Sequence, residues 1–86
     1  MDVSEIKALI ENGLSGVEAR VAGDGSHYNA IVIGECFDGL SMVAQQKLVY
    51  ATLNEHITSG AIHALTIKTY TPAQWEKANQ FQIKAE

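Results

Sequence analysis

The sequence predicts an α+β fold in which three helices pack on one face of a three-stranded mixed sheet. Apolar residues recur at helical spacing in three segments and follow strand-like patterns in three others. These segments occur in the order helix, strand, strand, helix, strand, helix, which is typical of a two-layer α+β sandwich. With 86 residues, the chain is expected to form one domain over residues 1–86.

The connection between the second and third strands contains the longest predicted helix. A strand–helix–strand crossover joins parallel strands with a right-handed connection in nearly all known sheets. We therefore expect the second and third strands to be parallel, so that their first residues lie at the same end of the sheet.

The first helix is predicted over about residues 3–13. Asp2 followed by Glu5 resembles a capping box, in which the residue before the helix accepts a backbone hydrogen bond. Asn12-Gly13 would end the helix with a left-handed residue. The apolar residues that recur at helical spacing between these signals are Ile6, Leu9, Ile10 and Leu14.

A β-hairpin is predicted next. Val17, Ala19 and Val21 alternate with charged residues, which is the period of a strand with one solvated face. The segment AGDGS supplies turn residues. The second strand, Tyr28 to Glu35, is apolar on both faces and is therefore expected to be central in the sheet.

The second helix is predicted to begin after Ser41, its N-cap, and to end at Ser59-Gly60. Polar residues such as Gln45 fall mostly away from its apolar stripe. The residues of that stripe, which we expect to face the core, are Met42, Val49, Leu53 and Ile57.

The third strand is predicted in the segment AIHALTIKTY, which is rich in Ile, Leu and Thr. Pro72 suits the first turn of a short last helix over about residues 72–79. Trp75 in this helix is expected to pack back on the body of the protein.

Composition and charge favour a small binding module over an enzyme. Six Lys+Arg against ten Asp+Glu give a formal charge of -4, whereas nucleic-acid binders usually have a basic face. One cysteine cannot form an internal disulfide, and the N-terminal segment lacks a signal-peptide pattern, so we expect a cytoplasmic protein. No window resembles a membrane span, and no nucleophile–base spacing is recognisable.

Two histidines are the candidate metal ligands. His27 and His63 lie near the first residues of the second and third strands, so a parallel pairing would place both at one sheet edge. Neighbouring strands are about 4.8 Å apart, so both imidazoles could approach one metal centre if the GDGS loop folds over. Simpler interpretations stay open, because such histidines are more often solvated turn residues or packing residues.

His56 and Cys36 are weaker candidates. His56 lies near the C-terminus of the long helix, where a protonated imidazole complements the helix dipole, and a ligand role is its less favoured alternative. Cys36 follows His27 by nine positions, which at about 3.3 Å per extended residue separates them by roughly 30 Å. The two therefore cannot share a metal within one subunit, and we expect Cys36 to be a small buried apolar residue.

Four groups of residues carry a family resemblance through their joint spacing. They are F-D-G-x-S from Phe37 to Ser41, Val49-Tyr50 with Leu53, Ile62-His63-Ala64-Leu65, and Lys68-x-Tyr70-Thr71-Pro72-Ala73-x-Trp75. Together they resemble the BolA-like family over about residues 5–76, and with GDGSH they resemble its IbaG subgroup. The resemblance implies a class II KH-like α/β topology, in agreement with the predicted element order.

The function implied by the resemblance is a non-enzymatic adaptor in iron–sulfur trafficking or sensing that binds a monothiol glutaredoxin. The two proteins share a [2Fe-2S] cluster, whose other side is held by the glutaredoxin cysteine and a glutathione thiolate; the isolated protein is expected to hold none. The family's ligands, at the start of the last strand and in the hairpin loop, match His63 and His27. Imidazoles in place of thiolates raise the potential of such a cluster, and a histidine ligand can be lost on protonation.

DNA binding is the alternative function, because members of the family are also described as transcriptional regulators. The third strand and the Lys68 region would then contact the nucleic acid. The stretch that is often basic in relatives reads Ala44-Gln45-Gln46-Lys47 here, and this departure together with the acidic net charge disfavours DNA as a partner. A weak homodimer is compatible with the sequence.

Overall fold

A computed structural model describes residues 2–24 and 27–85 of the chain. Its elements are α1 (Val3–Gly13), β1 (Glu18–Gly23), β2 (His27–Ile33), a 3-10 helix (Glu35–Phe37), α2 (Met42–Thr58), β3 (Ala64–Tyr70) and α3 (Pro72–Ala85). This order of helices and strands confirms the predicted α+β fold. No helix within the described ranges is long and apolar enough to cross a membrane.

The sheet has the predicted pairing. Its strand order is β1-β2-β3, with β1 antiparallel to β2 and β2 parallel to β3. β2 is therefore central, and α2 forms the crossover that a parallel pair requires. In this register Ala30 of β2 lies opposite Ile67 of β3, and His27 lies opposite Ala64.

Several element boundaries differ from the predicted ones; β2, for example, begins at His27 rather than Tyr28. β2 ends at Ile33 rather than Glu35, because Glu35 begins the 3-10 helix. β3 begins at Ala64 rather than at Ala61. The backbone N–H of Ile62 donates to the carbonyl of His56, so this residue is bonded to the last turn of α2 instead of extending the strand. α3 continues to Ala85 instead of ending near residue 79.

The hydrophobic core lies between one face of the sheet and the helices α1 and α2. Cross-strand partners share a face, and the register places Ala19, Val32 and Thr69 on the face toward these helices. Its large, fully buried side chains are Tyr28, Phe37, Ile6, Ile10, Leu53, Val32 and Val49.

The core-facing stripe of α2 differs from the predicted one at two positions. Val49 and Leu53 are buried as expected, but Met42 is 58% exposed and Gln45 only 8% exposed. The reason is that the line of closest approach runs through Gln45, Val49 and Leu53, at four-residue spacing. Gln45 tolerates burial because its amide Nε2 donates to the carbonyl of Leu40 at 2.9 Å and its Oε1 accepts from the Thr69 hydroxyl at 2.5 Å.

The beginning of α3 packs on the other face of the sheet. The Trp75 ring lies 5.4 Å from the Tyr70 ring and 5.1 Å from the Arg20 guanidinium carbon, which confirms that Trp75 packs back on the body. By register, Arg20 and Tyr70 belong to the face opposite the core. The expectation that all three helices pack on one face therefore holds for α1 and α2 but not for the beginning of α3, which packs on the opposite face.

The end of α1 also differs in detail. The left-handed residue is Gly16, with φ 74°, and not Gly13. Gly13 is required for another reason: a Cβ atom there would lie 2.6 Å from Cγ2 of Thr52 on α2. The glycine therefore allows α1 and α2 to approach closely.

Two charged side chains of α1 cover the outer edge of β1. The carboxylate of Glu11 accepts a hydrogen bond from the N–H of Ala19 at 3.0 Å, and the ammonium of Lys7 donates to the carbonyl of Ala19 at 2.8 Å. Lys7 and Glu11 are also paired with each other at 2.6 Å. These bonds satisfy backbone groups that an edge strand would otherwise leave open. The Ala19 N–H, followed by the Lys7 ammonium, lowers the pKa of Glu11.

We expect Glu11→Gln to reduce the acid sensitivity of folding. A carboxyl whose pKa is lowered in the folded state stabilises the protein above its unfolded pKa, and this contribution is lost as the pH falls through the folded pKa. The parent chain should therefore be more stable than the variant at neutral pH, with the difference vanishing in acid. The free energy of unfolding, measured by urea denaturation and circular dichroism from neutral pH to acid, tests this expectation. The control is Glu55→Gln, on the exposed surface of α2. Equal pH profiles for the parent and Glu11→Gln would show that the Glu11 carboxylate does not stabilise the fold.

Thr69→Val should destabilise the fold by about 1–2 kcal/mol, because the near-isosteric change leaves the buried Gln45 oxygen without its donor. The double variant Gln45→Leu with Thr69→Val should recover part of the loss, since it removes both polar groups. Equilibrium unfolding of the two single variants and the double variant tests the coupling, and strictly additive losses would show that the pair does not act together.

Candidate functional site

The candidate site lies where β2 and β3 begin. His27 is the first residue of β2 and pairs with Ala64, the first residue of β3, so that His63 directly precedes its partner. Both histidines are exposed to solvent. The structure therefore brings both predicted ligands to one end of the sheet, which is the result expected from parallel strands.

Asp24 and Gly23 fix the backbone of His27. The Asp24 carboxylate accepts from the N–H of His27 at 3.0 Å, and the N–H of Asp24 donates to the carbonyl of His27 at 3.3 Å. At Gly23 a Cβ atom would lie 2.5 Å from the His27 carbonyl oxygen, so a side chain cannot be accommodated there without movement. His27 consequently begins the strand itself; the predicted folding of the GDGS loop over the site concerns residues 25 and 26, outside the described residues.

The position of His63 is set by the residue before it. Ile62 is 3% exposed and belongs to the core, and its N–H donates to the carbonyl of His56 at 3.1 Å. This pair of constraints joins the end of α2 to the start of β3. His63 is thus an exposed residue on an anchored backbone.

The chemistry of the two side chains fits a shared metal centre. Within the described parts of the chain, neither imidazole has a hydrogen-bond partner, so both rings have nitrogens available for coordination. Neutral imidazole is a good ligand for iron, and two imidazoles on one iron occur in Rieske-type [2Fe-2S] centres. In the same described residues there is no group of three or more metal-binding side chains. Two imidazoles are fewer ligands than a [2Fe-2S] cluster requires, so His27 and His63 could hold one only together with further ligands.

The two weaker candidates, Cys36 and His56, lie on other elements than His27 and His63. Cys36 belongs to the 3-10 helix that follows β2, at the opposite end of the sheet from His27, and it is exposed rather than buried as predicted. The reason is that the chain turns after Ile33 and buries Phe37 instead. Cys36 lines a surface cleft of about 590 Å³ that also includes Trp75. His56 lies in the last turn of α2, where its predicted interaction with the helix dipole is available.

Asp24 is the residue of this site that its sequence context does not single out. It is one of several turn residues in AGDGS, although an Asp three positions before a strand start can bond that backbone N–H. The spacing of Asp24 and His27 was the available signal.

Comparison with known proteins supports a family assignment. A family model described as BolA-like protein matches residues 6–74. The acid stress protein IbaG of Escherichia coli (strain K12) is 48% identical over 77 residues, which cover 90% of this chain and 92% of that protein.

Solved structures agree with this result. A bolA protein homologue from Coxiella burnetii superposes with a TM-score of 0.79 at 40% identity, covering 88% of this chain and 97% of that one. The BolA domain of SufE1 from Arabidopsis thaliana gives a TM-score of 0.69 at 32% identity, covering 83% and 92%. Sequence, family model and fold agree, and the chain belongs to the BolA-like family.

Proposed function

We propose that this protein is a non-enzymatic adaptor in iron–sulfur trafficking or sensing. It binds a monothiol glutaredoxin and contributes His27 and His63 to a [2Fe-2S] cluster held between the two proteins. The observation that carries the proposal is the parallel register, in which His27 lies opposite Ala64, the residue that directly follows His63. Membership of the BolA-like family supports the choice of partner and cluster.

The ligand set divides naturally between two molecules. Two imidazoles supply half of the four ligands that a [2Fe-2S] cluster requires. The glutaredoxin cysteine and a glutathione thiolate supply the other half. The cluster then joins two exposed surfaces, and its assembly depends on both proteins being present.

The described backbone contacts suit such a role. Asp24 holds the main chain of His27, and Ile62 anchors the main chain of His63, while both side chains remain in solvent. A partner can therefore reach the imidazoles without opening the core.

Replacing thiolates by imidazoles sets the properties of the proposed cluster. Neutral ligands lower the negative charge around the iron, and this raises the reduction potential relative to a cluster with four thiolates. A protonated imidazole nitrogen cannot bind a metal, so histidine ligation in general makes cluster retention sensitive to acid. These properties favour a cluster that is transferred or sensed over one that is permanently held.

His63→Ala and His27→Ala should each change the visible absorption and circular dichroism of the complex reconstituted with glutaredoxin, iron, sulfide and glutathione. The reason is that each variant removes one iron ligand while leaving the core intact. His56→Ala is the matched control, because it removes a third histidine that lies on α2, and its spectra should equal those of the parent.

The ligand assignment is wrong if the His63→Ala complex keeps the parent spectrum. Size-exclusion chromatography of the mixed proteins without iron tests the partner separately. If the two proteins co-elute but the histidine variants keep the parent spectra, the glutaredoxin is a partner and the two histidines are not cluster ligands. If no complex forms even with iron, sulfide and glutathione present, the adaptor function itself is wrong.

A further inference from the structure

The outer side of β3 is an open sheet edge, since within the described chain β3 pairs only with β2. Two contacts show which of its backbone groups point outward. The carbonyl of Tyr70 accepts from the N–H of Gly34 on the β2 side, at 2.9 Å, whereas the carbonyl of Ile67 accepts from the Gln46 side chain on α2, at 3.4 Å. In a strand, the backbone N–H and C=O groups of successive residues point alternately to the two edges. Since those of Tyr70 point toward β2, the N–H and C=O groups of Leu65, Ile67 and Thr69 point outward.

A row of α2 side chains runs beside this edge. Met42, Gln46 and Tyr50 follow one another at four-residue spacing, which places them in one line along the helix. Met42 is 58% exposed and Tyr50 39% exposed, and Met42 Sδ lies 3.8 Å from the Thr69 hydroxyl. A groove of about 400 Å³ is lined by Met42 and Gln46 on α2 and by residues 67–70 of β3. The edge thus combines hydrogen-bonding groups with space for apolar side chains.

The segments of α2 and β3 that line this groove carry only positive charge, unlike the chain as a whole. Lys47 on α2 and Lys68 on β3 are both exposed, and neither β3 nor the first 13 residues of α2 contain an acidic residue. The chain as a whole has a net charge of -4. A basic edge attracts an acidic partner and repels a second copy of the same strand, which would bring its own Lys68.

We infer that the outer edge of β3 binds an extended acidic segment of a partner protein as a fourth strand. The outward groups of Leu65, Ile67 and Thr69 supply the backbone hydrogen bonds, as in other cases of strand addition. Alternate side chains of the segment would face the groove at Met42 and the opposite face at Lys68. The segment recognised therefore alternates apolar and acidic residues.

Gln46 has a defined part in this binding. In the free chain the Gln46 side-chain amide donates a hydrogen bond to the carbonyl of Ile67. A backbone N–H of the added strand would replace this donor. The contact is long and half-buried, so its exchange for a backbone hydrogen bond costs little. Duplex DNA would meet the same lysines but would leave the apolar groove and the outward N–H groups unused, and for this reason a protein strand is the better occupant.

Amide hydrogen exchange tests the inference on the unmodified full chain. The probe is a synthetic peptide of the length of β3 that alternates Val and Glu. At saturation the amides of Leu65, Ile67 and Thr69 should exchange at least about tenfold more slowly, because they become hydrogen-bonded. The amides of Thr66 and Lys68, which point toward β2, should not change.

Charge variants provide the second arm. Lys68→Glu should weaken binding of the Val/Glu peptide by about three- to tenfold, since an exposed attraction becomes a repulsion, and should favour a Val/Lys peptide instead. Lys77→Glu on α3 makes the same charge change away from the edge and should leave the affinity unaltered.

Three results would overturn the inference. The first is unchanged exchange of the three outward amides at millimolar peptide. The second is equal binding of the Val/Glu and Val/Lys peptides to the parent chain. The third is duplex DNA that perturbs the same amides and displaces the peptide with a steep salt dependence, because this would assign the edge to nucleic acid.

Discussion

The parallel pairing of β2 with β3 is the constraint on which the rest of the molecule depends. Parallel neighbours cannot be joined by a tight turn, so the chain must return along the sheet through α2. Val49 and Leu53 pack that helix against the core face of the sheet. Beyond its last turn, buried Ile62 donates its N–H to the carbonyl of His56. The relative position of His27 and His63 therefore depends on packing of the core together with the local bonds between Asp24 and His27.

The two ends of the sheet have different characters. At one end lie two solvent-exposed histidines with anchored backbones, His27 as the first residue of β2 and His63 directly before β3. At the other end Trp75 packs between Arg20 and Tyr70, and the 3-10 helix buries Phe37. Aromatic packing thus stabilises the end that carries neither proposed ligand, while the end with His27 and His63 remains accessible to a second protein.

Local patterns predicted the parts of the fold that depend on neighbouring residues. Helical spacing gave α1 its bounds, Ser41 caps α2 through the N–H of Ala44, and the crossover argument gave the parallel pair. Burial of Gln45 could not be predicted in this way, because it depends on a hydroxyl at Thr69 that is distant in sequence. Exposure of Cys36 was missed because the turn after Ile33 competes with continuation of an apolar strand. For the candidate site, the sequence located both histidines at one sheet end but not the bonds from Asp24.

The reciprocal bonds between Asp24 and His27 have a thermodynamic consequence for association. A ligand on an unrestrained turn must lose backbone entropy when it binds, and this loss weakens the complex. At His27 the main chain is already ordered by the carboxylate and amide of Asp24 before any partner arrives. Much of the backbone ordering needed at this position is therefore completed during folding, and mainly rotation of the imidazole side chain is left for the encounter.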